Sequence, residues 1–194
     1  MLLNSLMVAT ILALLAALLR VQEPRLRLYI LSELVATMGI EAAALTWPDW
    51  NSREYTAAFC VSRAIDLSAA VWLSKPRVGT AIAAACLTLI ALIGLPEHLD
   101  INSGIALAEG LGFALAGISI ILQPVSLANT VLAVLWLMLA AYNYSFAMGW
   151  QIPTIWNLAD YWNTVACIVA FGILAIVGAK DGQCERSASS PSSS

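Results

Sequence analysis

Seven long apolar runs, parted by connections that each carry a proline, constrain this chain more than any other feature. The runs cover about 2–19, 28–46, 54–73, 78–95, 102–122, 126–148 and 158–179. Several reach the roughly 20 residues that an α-helix needs to cross the hydrocarbon core of a bilayer. Pro24, Pro48, Pro76, Pro96, Pro124 and Pro153 fall in successive connections, and each discourages continuation of the helix before it. The pattern predicts an all-α integral membrane protein. Its domain is a bundle of seven transmembrane helices over residues 1–180, followed by a disordered Ser-rich cytoplasmic tail over 181–194. Composition agrees, with 11% charged residues and a mean hydropathy of +0.85, where a soluble domain carries about 25% charged residues. The first run has no Lys or Arg ahead of it and no clean cleavage site before Arg20. It therefore reads as a retained span rather than a signal peptide.

Direction follows from the basic residues. Arg20, Arg25 and Arg27 follow span one, Lys75 and Arg77 follow span three, and Lys180 and Arg186 follow span seven. If spans alternate, all seven lie on one face, and only Arg53 lies on the other. The positive-inside rule then predicts the N-terminus out and the C-terminus in. Trp47, Trp50, Trp150, Trp156 and Trp162 fall at or near the outer boundary, where amphipathic rings anchor at headgroup depth. The expected location is a bacterial inner (cytoplasmic) membrane.

Two windows resemble each other. Trp50-Asn51-Ser52-Arg53-Glu54-Tyr55 opens span three, and Trp156-Asn157-Leu158-Ala159-Asp160-Tyr161 opens span seven. The same offset carries span one onto five and span two onto six, as two parallel three-helix units joined by span four would require. The alternative is independent capping, with Asn51 as N-cap and an acid three residues on satisfying the free amides of a helix start. The three-plus-one-plus-three layout is similar to that of the sugar-efflux, PQ-loop and nicotinamide-riboside transporters. The Pro-Gln pair expected after spans one and five is absent: Gln123-Pro124 has the reverse order, and Gln22 and Pro24 are separated. No family residue carries over.

The chemistry lies in charges placed where hydrocarbon should be. A charged side chain at the bilayer centre costs about 2.5–3.5 kcal/mol on insertion scales, so it needs a partner or a task. Arg63 and Asp66, three apart on span three, share a helix face and form an expected ion pair. Glu33, Thr37 and Glu41 repeat every four residues on span two, with Glu33 near enough to the inner boundary to reach headgroup water. Asp160 reads as a helix-start residue. Glu109 is surrounded by Gly110, Gly112, Ala114, Ala116 and Gly117, small residues that let a neighbouring helix approach closely. One guanidinium cannot neutralise four carboxylates. The residue pattern therefore predicts a polar intramembrane pocket of Glu41, Arg63, Asp66 and Glu109, binding a substrate or proton. Low-dielectric burial favours the neutral form of a carboxyl, as proton exchange requires.

Other classes find less support. His98, the single histidine, lies in a short loop between Glu97 and Asp100, a weak metal signal. A transmembrane bis-histidine haem is excluded. Lys75 and Lys180 both fall at helix ends, away from where a retinal Schiff base would sit. No nucleophile elbow, P-loop or dinucleotide fingerprint occurs, so an enzyme is disfavoured. No cofactor or metal is implied, and no basic cluster suggests nucleic acid. The four cysteines, Cys60, Cys86, Cys167 and Cys184, have neither metal-site nor redox-pair spacing. The leading expectation is a transporter-like carrier of a small solute or cation. The alternatives are a non-catalytic membrane subunit or scaffold pairing with partner helices, and a homo-oligomeric channel or permeabilising protein.

Overall fold

A computed structural model describes residues 2–49, 52–74, 101–147 and 163–178. All of its regular structure among these residues is helical, and six helices fall on six of the seven predicted runs. They are α1 (Leu2–Arg20), α2 (Pro24–Thr46), α3 (Arg53–Ser74), α4 (Ile101–Ile121), α5 (Leu127–Ala147) and α6 (Asn163–Gly178). Span four, the start of span seven, Trp50 and Asn51 of the first window of the suspected repeat, the whole second window, His98, Asp160 and the tail lie outside the described residues.

The main departure from the predicted boundaries is at α2, which starts four residues early. Pro24 occupies its first turn rather than the connection, a position where its missing amide hydrogen is no loss. The Glu23 side chain caps that turn by accepting from the backbone amides of Arg25 and Leu26. At α3 Ser52 serves as a cap: the Tyr55 amide donates to Ser52 Oγ at 3.2 Å. Ser126 serves α5 in the same way, accepting from the Asn129 amide at 3.0 Å. At the end of α4, Gln123 Nε2 donates to the Ser74 carbonyl at 2.9 Å. That bond satisfies one of the free carbonyls closing α3.

Helices neighbouring in sequence pack together: α1 on α2, α2 on α3, and α4 on α5, with α3 also against α4. Small residues set the closest approaches. A Cβ on Gly110 would stand 3.3 Å from the Ala140 carbonyl oxygen, and one on Gly112 would overlap the Leu67 side chain. The latter contact brings the Glu109 turn of α4 against the Asp66 turn of α3. At the centre, Tyr29, Trp136 and Phe171 join α2, α5 and α6. The Tyr29 and Trp136 rings meet edge-on at 5.4 Å, and Trp136 Nε1 donates to the Tyr29 hydroxyl at 3.0 Å.

The outer surface is apolar. On α4, Leu111, Leu115 and Ile118 form an exposed stripe that Leu122 continues just past the helix end, and on α1 Val8, Leu12, Leu15 and Leu19 form another. Water-soluble proteins rarely expose contiguous apolar faces of this kind. Three helices (α2, α3 and α5) are long and apolar enough to cross a membrane, and α1, α4 and α6 add shorter apolar stretches. These features are compatible with a membrane location.

Candidate functional site

The bundle treats its hydroxyls and its charges differently. Thr10, Ser32, Thr56, Ser68, Thr130 and Ser145 each donate to the carbonyl four residues earlier on their own helix. Such back-bonding consumes their donors locally. Among the described residues, five buried side-chain atoms lack a hydrogen-bond partner. They are Glu33 Oε2, Arg63 Nε, Asp66 Oδ1, Asp66 Oδ2 and Glu109 Oε1, all on four ionisable residues. A buried polar atom left unpaired costs about 1–3 kcal/mol, and more when charged.

Arg63 is the hub. Its Nη1 lies 3.6 Å from Asp66 Oδ2, the i,i+3 pair expected from the sequence. Its Nε lies 3.7 Å from Glu109 Oε1 on α4. Both separations exceed hydrogen-bonding distance, so these are ion pairs without a direct hydrogen bond. The guanidinium also stands over the Phe59 ring, 5.5 Å from its centroid, a cation–π contact one helical turn away. Asp66 is 1% exposed and Glu109 8%, whereas Arg63 keeps 33%. Asn143 on α5 donates a hydrogen bond to the Glu109 carboxyl.

Two acids exchange the places expected of them. Glu33 does not emerge at the helix end; it is buried and within electrostatic reach of Asp66. The early start of α2 explains this, because Glu33 lies nine residues past Pro24, about 13 Å along the axis at 1.5 Å per residue. Glu41 lies outside the group around Arg63. It is half-buried, within electrostatic reach of Tyr55 at the start of α3. Residues spaced by four drift about 40° round a helix at each step, so Glu41 is turned about 80° from Glu33. Tyr55, Phe59 and Arg63 form a ladder winding along α3, the two rings stacking at 6.3 Å.

Arg63, Asp66 and Glu109 of the predicted set thus come together, with Glu33 in place of Glu41. Tyr29 and Cys167 border the group, each within electrostatic reach of Glu33 and Asp66. The sequence singled out Glu33 as a charge in an apolar run; the Tyr29–Trp136 bond joins residues too far apart in the chain to be foreseen. No three of the His, Cys, Asp and Glu side chains among the described residues converge closely enough to hold a metal ion. The acids instead flank the guanidinium in sequence, from Glu33 through Asp66 and Arg63 to Glu109. A separate groove of about 560 Å³ opens between α2 and α3, lined by Val35, Gly39, Val61, Ser62 and Ile65, with Trp47 and Glu54 among its outer residues. Comparison with protein-family models, curated proteins and solved structures finds no match to this chain.

Proposed function

We propose that this chain is a seven-span, multi-pass protein of a bacterial cytoplasmic membrane, N-terminus out and C-terminus in, that carries a small solute. Its working centre is the charged cluster of Glu33, Arg63, Asp66 and Glu109, which binds a proton or a small cationic solute within the bundle. Glu41, beside Tyr55, belongs to the outer approach, and the Tyr55–Phe59 ladder leads from it to Arg63. One observation carries this reading: among the described residues, the unpaired buried side-chain polar atoms all belong to that cluster, while hydroxyls such as those of Thr10 and Ser68 bond their own helix. Ionisable residues inside spanning helices mark ion and substrate paths, because their cost is otherwise unrecovered.

The test is solute uptake into proteoliposomes with and without a pH gradient, small cations first. Gradient-dependent uptake that falls in E109Q and D66N supports the carrier. Full uptake and undiminished stability in E41Q and E109Q together would sink it. A second reading, a membrane subunit that pairs with a partner helix, is favoured by the partial exposure of Arg63 and the open groove between α2 and α3. Purification of the chain from its native membrane as a lone monomer would count against that alternative.

A further inference from the structure

Outside the charged cluster, the groove of about 560 Å³ between α2 and α3 has its own polar pattern. Trp47 and Glu54 mark one end and Val35 and Ile65 the other, about 16 Å apart along α3 at 1.5 Å per residue. Clefts of about 300–1,000 Å³ bury organic ligands of drug size. A partner helix, about 10 Å across, would ride over such a groove and send only side chains into it. The floor is polar at one point. A Cβ on Gly39 would stand 2.9 Å from Ser62 Oγ, so that hydroxyl faces α2 across the bottom of the groove. Ser62 is 6% exposed, yet it is not one of the hydroxyls that bond a carbonyl of their own helix, and it bonds no other described residue. Charge stands at the mouth. Among the described residues the ion pairs are those of Arg63 with Asp66 and Glu109, so Glu54 has no counter-ion. No Lys or Arg lines the groove, and Arg53 is turned about 100° from Glu54 round the helix.

We propose that this groove binds a free organic cation with a flat or slender apolar body. Its positive charge lies between the Glu54 carboxylate and the Trp47 ring, which attracts a cation to its face. Its body lies along Val35, Val61 and Ile65, and an N–H or O–H group on it donates to Ser62 Oγ. The apolar walls supply affinity with little preference, Glu54 rejects anions, and Ser62 favours cations that bring a donor. A phospholipid fits less well, because its phosphate would meet Glu54 with no basic lining residue to receive it. In the carrier, the groove is the docking site of the solute before it reaches Arg63; only that role rests on the carrier reading, and the binding stands separately.

Ethidium, a flat cation that carries amino groups and brightens on leaving water, tests this with the full chain in nanodiscs of zwitterionic lipid. The brightening should saturate. E54Q and W47L should each weaken binding about three- to fivefold, and S62A about fivefold. A57F, which sets a ring across the groove from an exposed position, should abolish it with thermal unfolding unchanged. If A57F fails to fold, E54Q at the exposed mouth carries the test. Anilinonaphthalene sulfonate, an anionic dye, should not displace ethidium. Absence of saturable binding in the wild type would overturn the inference, as would binding that survives A57F or yields to the anion. Binding lost in D66N but kept in A57F would move the cation to the charged cluster and overturn it as well. Groove binding in a protein that takes up no ethidium would sink the carrier and leave the site in place. Gradient-driven uptake unchanged in A57F would keep the carrier and overturn the groove's place in it.

Discussion

Replacing Arg63 by methionine removes the cation while keeping most of the side chain's apolar bulk. Asp66 and Glu109 lose a guanidinium at 3.6 and 3.7 Å, and at 1% and 8% exposure neither finds water in its place. Deleting one partner of a buried pair costs about 3–5 kcal/mol. Arg63 keeps 33% exposure, so screening moves the expected loss to the lower end, about 3 kcal/mol. A second route sets an upper bound of similar size. Glu109 escapes an unpaired buried charge by taking a proton. From the ordinary glutamate value of about 4.3, that costs about 3.7 kcal/mol at pH 7 and about 1 kcal/mol at pH 5. The folded variant then holds a proton that the unfolded chain has released, so its stability falls as pH rises. Equilibrium unfolding of wild type, R63M and R63M/E109Q in identical micelles at the two pH values measures this. R63M should lose about 3 kcal/mol at pH 7, part of it recovered at pH 5, and the double variant should recover part of the loss, since Asp66 still lacks its counter-charge. A loss below about 1 kcal/mol at pH 7, or a double variant no better than the single one, would refute Arg63 as the counter-charge of Glu109.

Other substitutions read the packing that holds the cluster. Tyr29→Phe strands the buried Trp136 N–H and should cost about 1–3 kcal/mol; adding Trp136→Phe should recover part of it, as a double-mutant cycle will show. Gly178→Ala drives a Cβ to 2.8 Å from the Arg20 carbonyl and 2.9 Å from Val21 Cα, backbone that cannot step aside. It should therefore destabilise by about 1–3 kcal/mol in the same unfolding assay. Gly172→Ala meets nothing within 4 Å, so it should be neutral or stabilise by up to about 1 kcal/mol. Ser126→Ala, which removes the cap of α5, should cost about 1 kcal/mol.

The helices were legible because outer surface and core are both apolar here, so long runs and their proline-bearing breaks mark the elements directly. Pro24 shows the limit: a proline reads equally as a break or as a first helical residue, and the cap from Glu23 decides between them. That local ambiguity displaced Glu33 by a turn and hid its nearness to Asp66. The Arg63–Asp66 pair was readable from i,i+3 spacing alone. The Arg63–Glu109 pair was not, since it depends on α3 meeting α4 at Gly112. Four-residue spacing overstated the kinship of Glu33 and Glu41, because a stripe at that interval winds round the helix instead of running straight along it.

In the membrane protein proposed above, the order in which the charges leave the ribosome gives the three-residue spacing of Arg63 and Asp66 another meaning. Each charge entering alone would meet a barrier of about 2.5–3.5 kcal/mol at the bilayer centre. α3 brings its cation and anion together, so nascent α3 enters nearly neutral, before α4 has been made. Glu109 is synthesised later and finds its counter-ion already in the bilayer. Moving the arginine to α4 would keep the finished cluster's composition but leave Asp66 to enter unescorted, so the present arrangement favours assembly as well as the final fold.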